Sequence, residues 1–181
     1  MKTLVINLFG GPGAGKSLTA WDLGAQLKKL GYDIELVHEY AKDLVWDEDW
    51  KTLGDQRKVW HEQVRRTHRL IGKVKIIITD SPTLLSLIYG EKNGSLTPQL
   101  EQEILAEYRA RNNVNLLIVR DQKKHKYQKA GRYQTKKQAI AIDQDLRELL
   151  ERHGFAYQEV PSGEATPAVL QILHDQKISN K

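Results

Sequence analysis

The run Leu4-Val5-Ile6-Asn7-Leu8-Phe9, continued by Gly10-Gly11-Pro12-Gly13-Ala14-Gly15-Lys16-Ser17, decides how this chain is read. Six mostly apolar residues have the length of a buried strand, and the glycine-rich segment fills the phosphate-loop pattern G-x-x-x-x-G-K-[ST] in full. Downstream, Ala20, Leu23, Leu27 and Leu30 recur at helical spacing and Gly31 offers a left-handed stop, which predicts a helix from about Lys16 to Leu30. A loop between strand and helix aims its N–H groups inward and adds the positive end of the helix dipole, so it can enclose a polyphosphate. Gly10, Gly11, Pro12, Gly13, Ala14, Gly15, Lys16, Ser17 and Leu18 are expected to line that cradle. Lys16 is expected to bridge the β- and γ-phosphates of ATP, and Ser17 to ligate Mg2+ through its hydroxyl, with Thr19 a weaker neighbour. A dinucleotide fingerprint fits poorly, because Gly11, Gly13 and Gly15 lack its spacing.

Four more strand-length runs follow: Ile34 to His38, Lys75 to Thr79, Asn115 to Val119 and Phe155 to Val160. Between them, Tyr40 to Trp50 reads as irregular or short-helical, and Asp55 to Lys73 as a long helix that turns Trp60, Val64 and Ile71 inward. A short helix, a turn from Gly90 to Ser95 and a helix start at Thr97-Pro98 come next, proline being favourable at a first helical position. Thr135-Lys136-Lys137-Gln138 has capping-box spacing and opens a helix to Arg152, and Thr166-Pro167 starts the last one. Strands alternating with helices predict an α/β fold, a P-loop NTPase three-layer sandwich around a five-stranded parallel sheet.

The chain has 181 residues, 40% hydrophobic and 28% charged, which suits one globular domain over residues 1–181. Its apolar runs are too short to span a bilayer, and the apolar start leads into the glycine loop rather than a cleavage site. No cysteine is present, which excludes disulfides and thiolate metal sites and fits a cytoplasmic location. The net charge of +5 is local: residues 120–137 sum to +7, leaving −2 for the remainder. Such a segment suits an anionic ligand such as a polyphosphate, or is a solvated loop.

In a parallel sheet, residues that follow the strands gather on the edge that carries the phosphate loop. Asp80, after Ile76-Ile77-Ile78-Thr79, is placed to hold the magnesium ion, usually through water, or to cap a helix. Glu39 suits a general base or an orienting group for an acceptor hydroxyl; the plainer alternative is a surface pair with Lys42. Arg120 and Arg132 bracket the basic segment, where arginine neutralises a migrating phosphoryl group and Gly131 can serve as a hinge. Trp46, Trp50 and Trp60 can stack a base, although core packing is the preferred reading. Gln56 and Gln63 share a helix face and either read a base or lie on the surface.

The order of these motifs resembles the deoxynucleoside and nicotinamide riboside kinases: a P-loop, Glu39-Tyr40-Ala41-Lys42, Asp80-Ser81-Pro82 and an arginine-bearing lid. It is more similar still to small kinase-like P-loop proteins of bacteriophage genomes, with the lid pattern Arg120, Tyr127, Gly131-Arg132, Thr135 and Asp143. The resemblance implies a kinase with a lid insertion at about 120–137, like that of nucleoside monophosphate kinases. In such a kinase Arg120 would lie on the adenine, later lid arginines would reach the phosphates, and Ser162 and Gly163 would meet the adenine edge. Glu39 would approach the acceptor hydroxyl and Gln63 a nucleobase, with Tyr40, Arg66 and Asp80 on the same acceptor side. Deoxynucleoside kinases usually carry acid-Arg-Ser where this chain has Asp80-Ser81-Pro82. That departure counts against a nucleoside acceptor; the function the resemblance implies is still transfer of the ATP γ-phosphate to a nucleoside- or nucleotide-like molecule, with a kinase acting on a DNA 5′-end or hydroxymethylated base, or a non-catalytic ATP switch, as alternatives.

Overall fold

The computed structural model describes residues 2–120 and 136–180. In chain order the elements are β1 (Leu4–Phe9), α1 (Lys16–Lys29), β2 (Ile34–Val37), α2 (Tyr40–Trp46), α3 (Trp50–Gly54), α4 (Gln56–His68), β3 (Ile76–Thr79), α5 (Leu85–Lys92), α6 (Pro98–Arg109), β4 (Asn112–Val119), α7 (Lys136–Arg152), β5 (Gln158–Pro161) and α8 (Thr166–Asp175). The five strands are all parallel and ordered β2-β3-β1-β4-β5, so the expected α/β sheet is present. Every position of β1 is buried, and its side chains alternate between two faces, as strand geometry requires. Leu4, Ile6 and Leu8 meet Leu23 and Leu27 of α1 and Val169 and Leu173 of α8. Phe9 faces the other way, into a core built with Leu87, Ile104, Tyr108 and Leu146 from α5, α6 and α7. Helices thus cover both faces of the sheet.

This topology fixes where a ligand can sit. After β1 the chain moves to β2 and returns through β3, then crosses to β4 and β5 on the opposite side. β1 therefore lies at the switch point of the sheet, where the crevice beyond the carboxyl ends opens. Thr79 pairs with both Asn7 and Val37, and Val119 pairs with Pro161. The strand ends are thereby brought to one edge, and they lead into Gly10, His38, Asp80, Arg120 and Ser162.

Several element ends differ from expectation, each for a local reason. The helix predicted over Asp55 to Lys73 starts as expected behind Asp55, whose carboxylate accepts from Lys58 N–H at 3.3 Å, but stops at His68. The chain then tightens into turns, Gly72 adopts φ +78°, and Thr3 Oγ1 accepts from Gly72 N–H at 2.8 Å while donating to Val74 O at 2.7 Å. Ile71 is consequently exposed rather than inward. β4 begins three residues early, although asparagine is a poor strand former, because its asparagines find partners. Asn7 Nδ2 donates to Asn113 Oδ1 at 3.0 Å, and Asn115 Nδ2 donates to Ala156 O at 2.9 Å. β5 starts late because Phe155 leaves the sheet to pack edge-on against Tyr108 at 5.1 Å. Gly90, expected in a turn, is inside α5. Tyr40 to Trp50, expected to be irregular or short-helical, forms α2 and the start of α3.

Gly31 takes the expected left-handed conformation at the end of α1, and Thr97 caps α6 by accepting from Leu100 N–H at 3.1 Å ahead of Pro98. Most of the expected lid lies outside the described residues, including Tyr127, Gly131, Arg132 and the capping-box residue Thr135. Among the described residues no helix is long and apolar enough to cross a membrane.

Candidate functional site

The glycine loop between β1 and α1 presents a row of donors without acceptors. Among the described residues, no hydrogen bond receives the N–H groups of Gly13, Gly15, Lys16, Ser17 and Leu18. Ala14 N–H differs, turning back to Gly11 O at 3.1 Å. Gly15 stands at φ +102° in front of α1, so the first-turn amides of that helix open into the same space. A chain that leaves clustered donors unpaired beside a helix start is built to receive an anion.

Groups from the ends of β4 and β5 and from α1 and α7 hold this loop in place. Asp143 of α7 accepts from Gly11 N–H at 2.6 Å with one carboxylate oxygen and from Arg120 Nε at 3.0 Å with the other. Arg120 also donates to Pro12 O at 3.0 Å and Ala139 O at 3.4 Å, so it ties β4 to the loop and to α7. A methyl group at Gly11 would overlap Ala139 O and stand 2.9 Å from Asp143 Oδ1, which explains glycine there. Thr19 Oγ1 donates to Gly15 O at 2.9 Å and accepts from Gly163 N–H at 3.0 Å, a structural use that replaces its expected metal contact. Ser162 lies directly against Gly15 with its hydroxyl buried. Ser162 and Gly163 therefore brace the loop, and the Gly163 N–H expected at an adenine edge is already committed to Thr19.

Lys16 is buried, and its ammonium donates to Gly10 O at 2.7 Å and Gly11 O at 3.3 Å. Burial pushes its pKa below the ordinary lysine value, while the carboxylates of Glu39, Asp80 and Asp143 work in the opposite direction. Two strand-end acids, Glu39 and Asp80, and one acid from α7, Asp143, thus act on one lysine. Ser17 Oγ donates to Asp80 Oδ2 at 2.6 Å, which joins the two residues expected at the metal. Asp80 Oδ1 is buried with no partner among the described residues, an acceptor of the kind a hydrated Mg2+ satisfies. No group of three or more His, Asp or Glu gathers for a metal among the described residues. A cation held by Ser17 and Asp80 would need nucleotide oxygens to complete its shell, as magnesium commonly does.

Beside this centre opens a cleft of about 1640 Å³, lined by Lys16, Ser17, Glu39 and Gln63 among others. Three indoles reach it. Trp46 and Trp50 were expected in the core, but α2 and α3 are short and lie over the cleft, leaving these residues 62% and 51% exposed. Trp60 alone is buried as expected. Trp21, 54% exposed, is the third indole and was missed; its position four residues after Ser17 places it on the same face of α1. Gln56 and Gln63 are both buried rather than on the surface, and both border the cleft.

Two residues expected on the acceptor side sit elsewhere. Arg66 lies over the Tyr40 ring at 4.8 Å and pairs with Glu62 at 3.0 Å and Asp43 at 2.8 Å, and neither Arg66 nor Tyr40 lines the cleft. Asp143, quoted only within the lid pattern, proves to be the carboxylate that joins α7 to the loop. Spacing alone gave no signal for that, since 132 residues separate it from Gly11.

A family model described as an AAA domain matches residues 5–166, which takes in the loop, all five strands and α7. No curated protein matches the chain.

Two substitutions test the site. Gly11→Ala should displace α7 or the loop and lower the melting temperature by several degrees, as overpacking by about 1–3 kcal/mol does; an unchanged melting curve would contradict the close approach. Asp80→Asn should raise the Mg2+ concentration needed for half-maximal nucleotide binding by about tenfold, measured by titrating magnesium at fixed nucleotide; an unaltered requirement would remove Asp80 from the metal.

Proposed function

This chain belongs to the AAA domain family, whose P-loop serves ATP hydrolysis or phosphoryl transfer, and we propose that it is an ATP- and Mg2+-dependent kinase acting on a nucleoside- or nucleotide-like acceptor. The observation that carries the choice of kinase is the cleft. The cleft of about 1640 Å³ takes in the phosphate loop and extends past it to Trp46, Trp50 and Gln56, so it offers more than the space of the phosphate chain and an attacking water. Sites for small molecules typically enclose about 300–1,000 Å³, so an acceptor has space beside the phosphate chain. Exposed indoles at Trp21, Trp46 and Trp50 suit a flat ring, because base stacking on aromatics is worth about 1–3 kcal/mol per base.

The loop amides bind the phosphate chain and Lys16, leaving its two loop carbonyls, neutralises the β- and γ-phosphates. Ser17 and Asp80 would hold the magnesium ion, whose charge offsets that of the same oxygens. Glu39 lines the cleft close enough to influence the Lys16 ammonium, and there it orients the acceptor hydroxyl and takes its proton. The acceptor oxygen forms a bond to the γ-phosphorus as the bond to the β–γ bridging oxygen breaks, and ADP departs with that electron pair. Arg120, held by Pro12 and Asp143, contributes by fixing the loop; Arg132 is the lid arginine proposed to reach the migrating group.

Labelled ATP offered to a panel of nucleosides, nucleotides and oligonucleotide 5′-ends tests this reading. Transfer to one acceptor class is expected, with Glu39→Gln lowering it about a hundredfold or more while nucleotide still binds. Release of phosphate to water at a rate that no acceptor raises would favour an ATP switch instead. Transfer to oligonucleotides that falls steeply with salt would move the acceptor to nucleic acid.

A further inference from the structure

Gln63 was expected to meet a nucleobase, and both polar atoms of its amide already have backbone partners. Its Oε1 accepts from Tyr40 N–H at 3.0 Å, and its Nε2 donates to His38 O at 3.2 Å. Both bonds are to backbone, one on each side of Glu39. The side chain is buried at 3% exposure within α4, and Thr67 Oγ1 donates to the Gln63 carbonyl at 3.1 Å one turn further on. Two independent fastenings on neighbouring peptides leave little freedom to the residue between them.

The need for such a fastening is local. Glu39 is the residue before α2, extended at φ −67° and ψ 119°, and its own carboxylate does not cap that helix. The first N–H of α2 would therefore lack an acceptor, and the last carbonyl beyond β2 would lack a donor. One glutamine amide has one donor side and one acceptor side, so it satisfies both at once. Glutamate in its ionised form could not, and leucine could do neither.

We propose that Gln63 is a positioning residue, an amide clamp that fixes the His38–Tyr40 backbone so that the Glu39 side chain is presented to the γ-phosphate end of the cleft. The proposal rests on the kinase reading of Glu39 given above. It gives both polar atoms of the Gln63 amide a role toward the backbone, in place of the nucleobase contact that the sequence suggested.

The experiment follows Mg-ATP turnover with water as the sole acceptor, since a Glu39 that orients an acceptor oxygen orients water as well. Gln63→Leu should lower kcat about a hundredfold with KM for Mg-ATP nearly unchanged, the scale expected from a misplaced catalytic group. The Tyr40 amide should exchange its hydrogen about tenfold faster, the loss of one net hydrogen bond. The double variant Glu39→Gln, Gln63→Leu should be no slower than Glu39→Gln alone, because the clamp acts only through Glu39. Should Gln63→Leu fail to fold, Gln63→Glu keeps the volume and the bond from Tyr40 N–H but loses the donor to His38 O, and an intermediate fall in kcat is expected.

Unchanged Tyr40 exchange in Gln63→Leu, or unchanged kcat in either Gln63 variant, would overturn the clamp, as would a double variant slower than Glu39→Gln. Native turnover in Glu39→Gln would instead overturn the role of Glu39, and the exchange rate would still report separately whether the clamp holds the backbone.

Discussion

The N–H groups of Gly13, Gly15, Lys16, Ser17 and Leu18, which have no acceptor among the described residues, are the constraint around which this molecule is arranged. Amides that open toward a cleft keep their direction only where the surrounding structure holds the loop against turning them back onto its own carbonyls. The restraint comes from every side. Asp143 takes Gly11 N–H, Arg120 holds Pro12 O, Thr19 holds Gly15 O, and Ser162 stands against Gly15. These four residues come from α7, the end of β4, α1 and the end of β5, and only a parallel sheet with β1 near its centre brings them together.

The two sides of the loop serve different ends. Toward β4 and β5, contacts are dense and charged groups are paired, which makes that side a brace. Toward β2 and β3, the cleft opens, acids from two strand ends face Lys16, and indoles from α1, α2 and α3 remain exposed. Burial lowers the pKa of Lys16 and the neighbouring carboxylates oppose that fall, while the carbonyls of Gly10 and Gly11 hold the ammonium against the loop. The same edge therefore combines a rigid anion cradle with an open, aromatic approach to it.

Much of this was legible in the residues because it is local in sequence. The loop pattern, the alternation of strands and helices and the acids at the strand ends each depend on a few neighbouring positions. What escaped depends on distant partners. Nothing near Gln63 announces that its amide serves the backbone around Glu39, and nothing near Gly163 shows that Thr19 claims its N–H. Trp46 and Trp50 have the composition of core residues, but the helices that carry them are too short to cover the sheet. Asn112 to Asn115 read as a poor strand by propensity, and side-chain hydrogen bonds from Asn7 and to Ala156 make it one. The lid, the most specific part of the likeness to phage proteins after the P-loop, lies mainly at residues outside the described ones.

All of these features lose their common purpose if the loop does not bind a nucleotide. Isothermal titration of Mg-ATP into the native chain and into Lys16→Ala is the most direct measurement. Saturable binding by the native chain, weakened roughly tenfold to hundredfold in the variant by loss of a charge-assisted contact, is the predicted result. Absence of binding by the native chain, or equal affinity in the two, would contradict the account at its root.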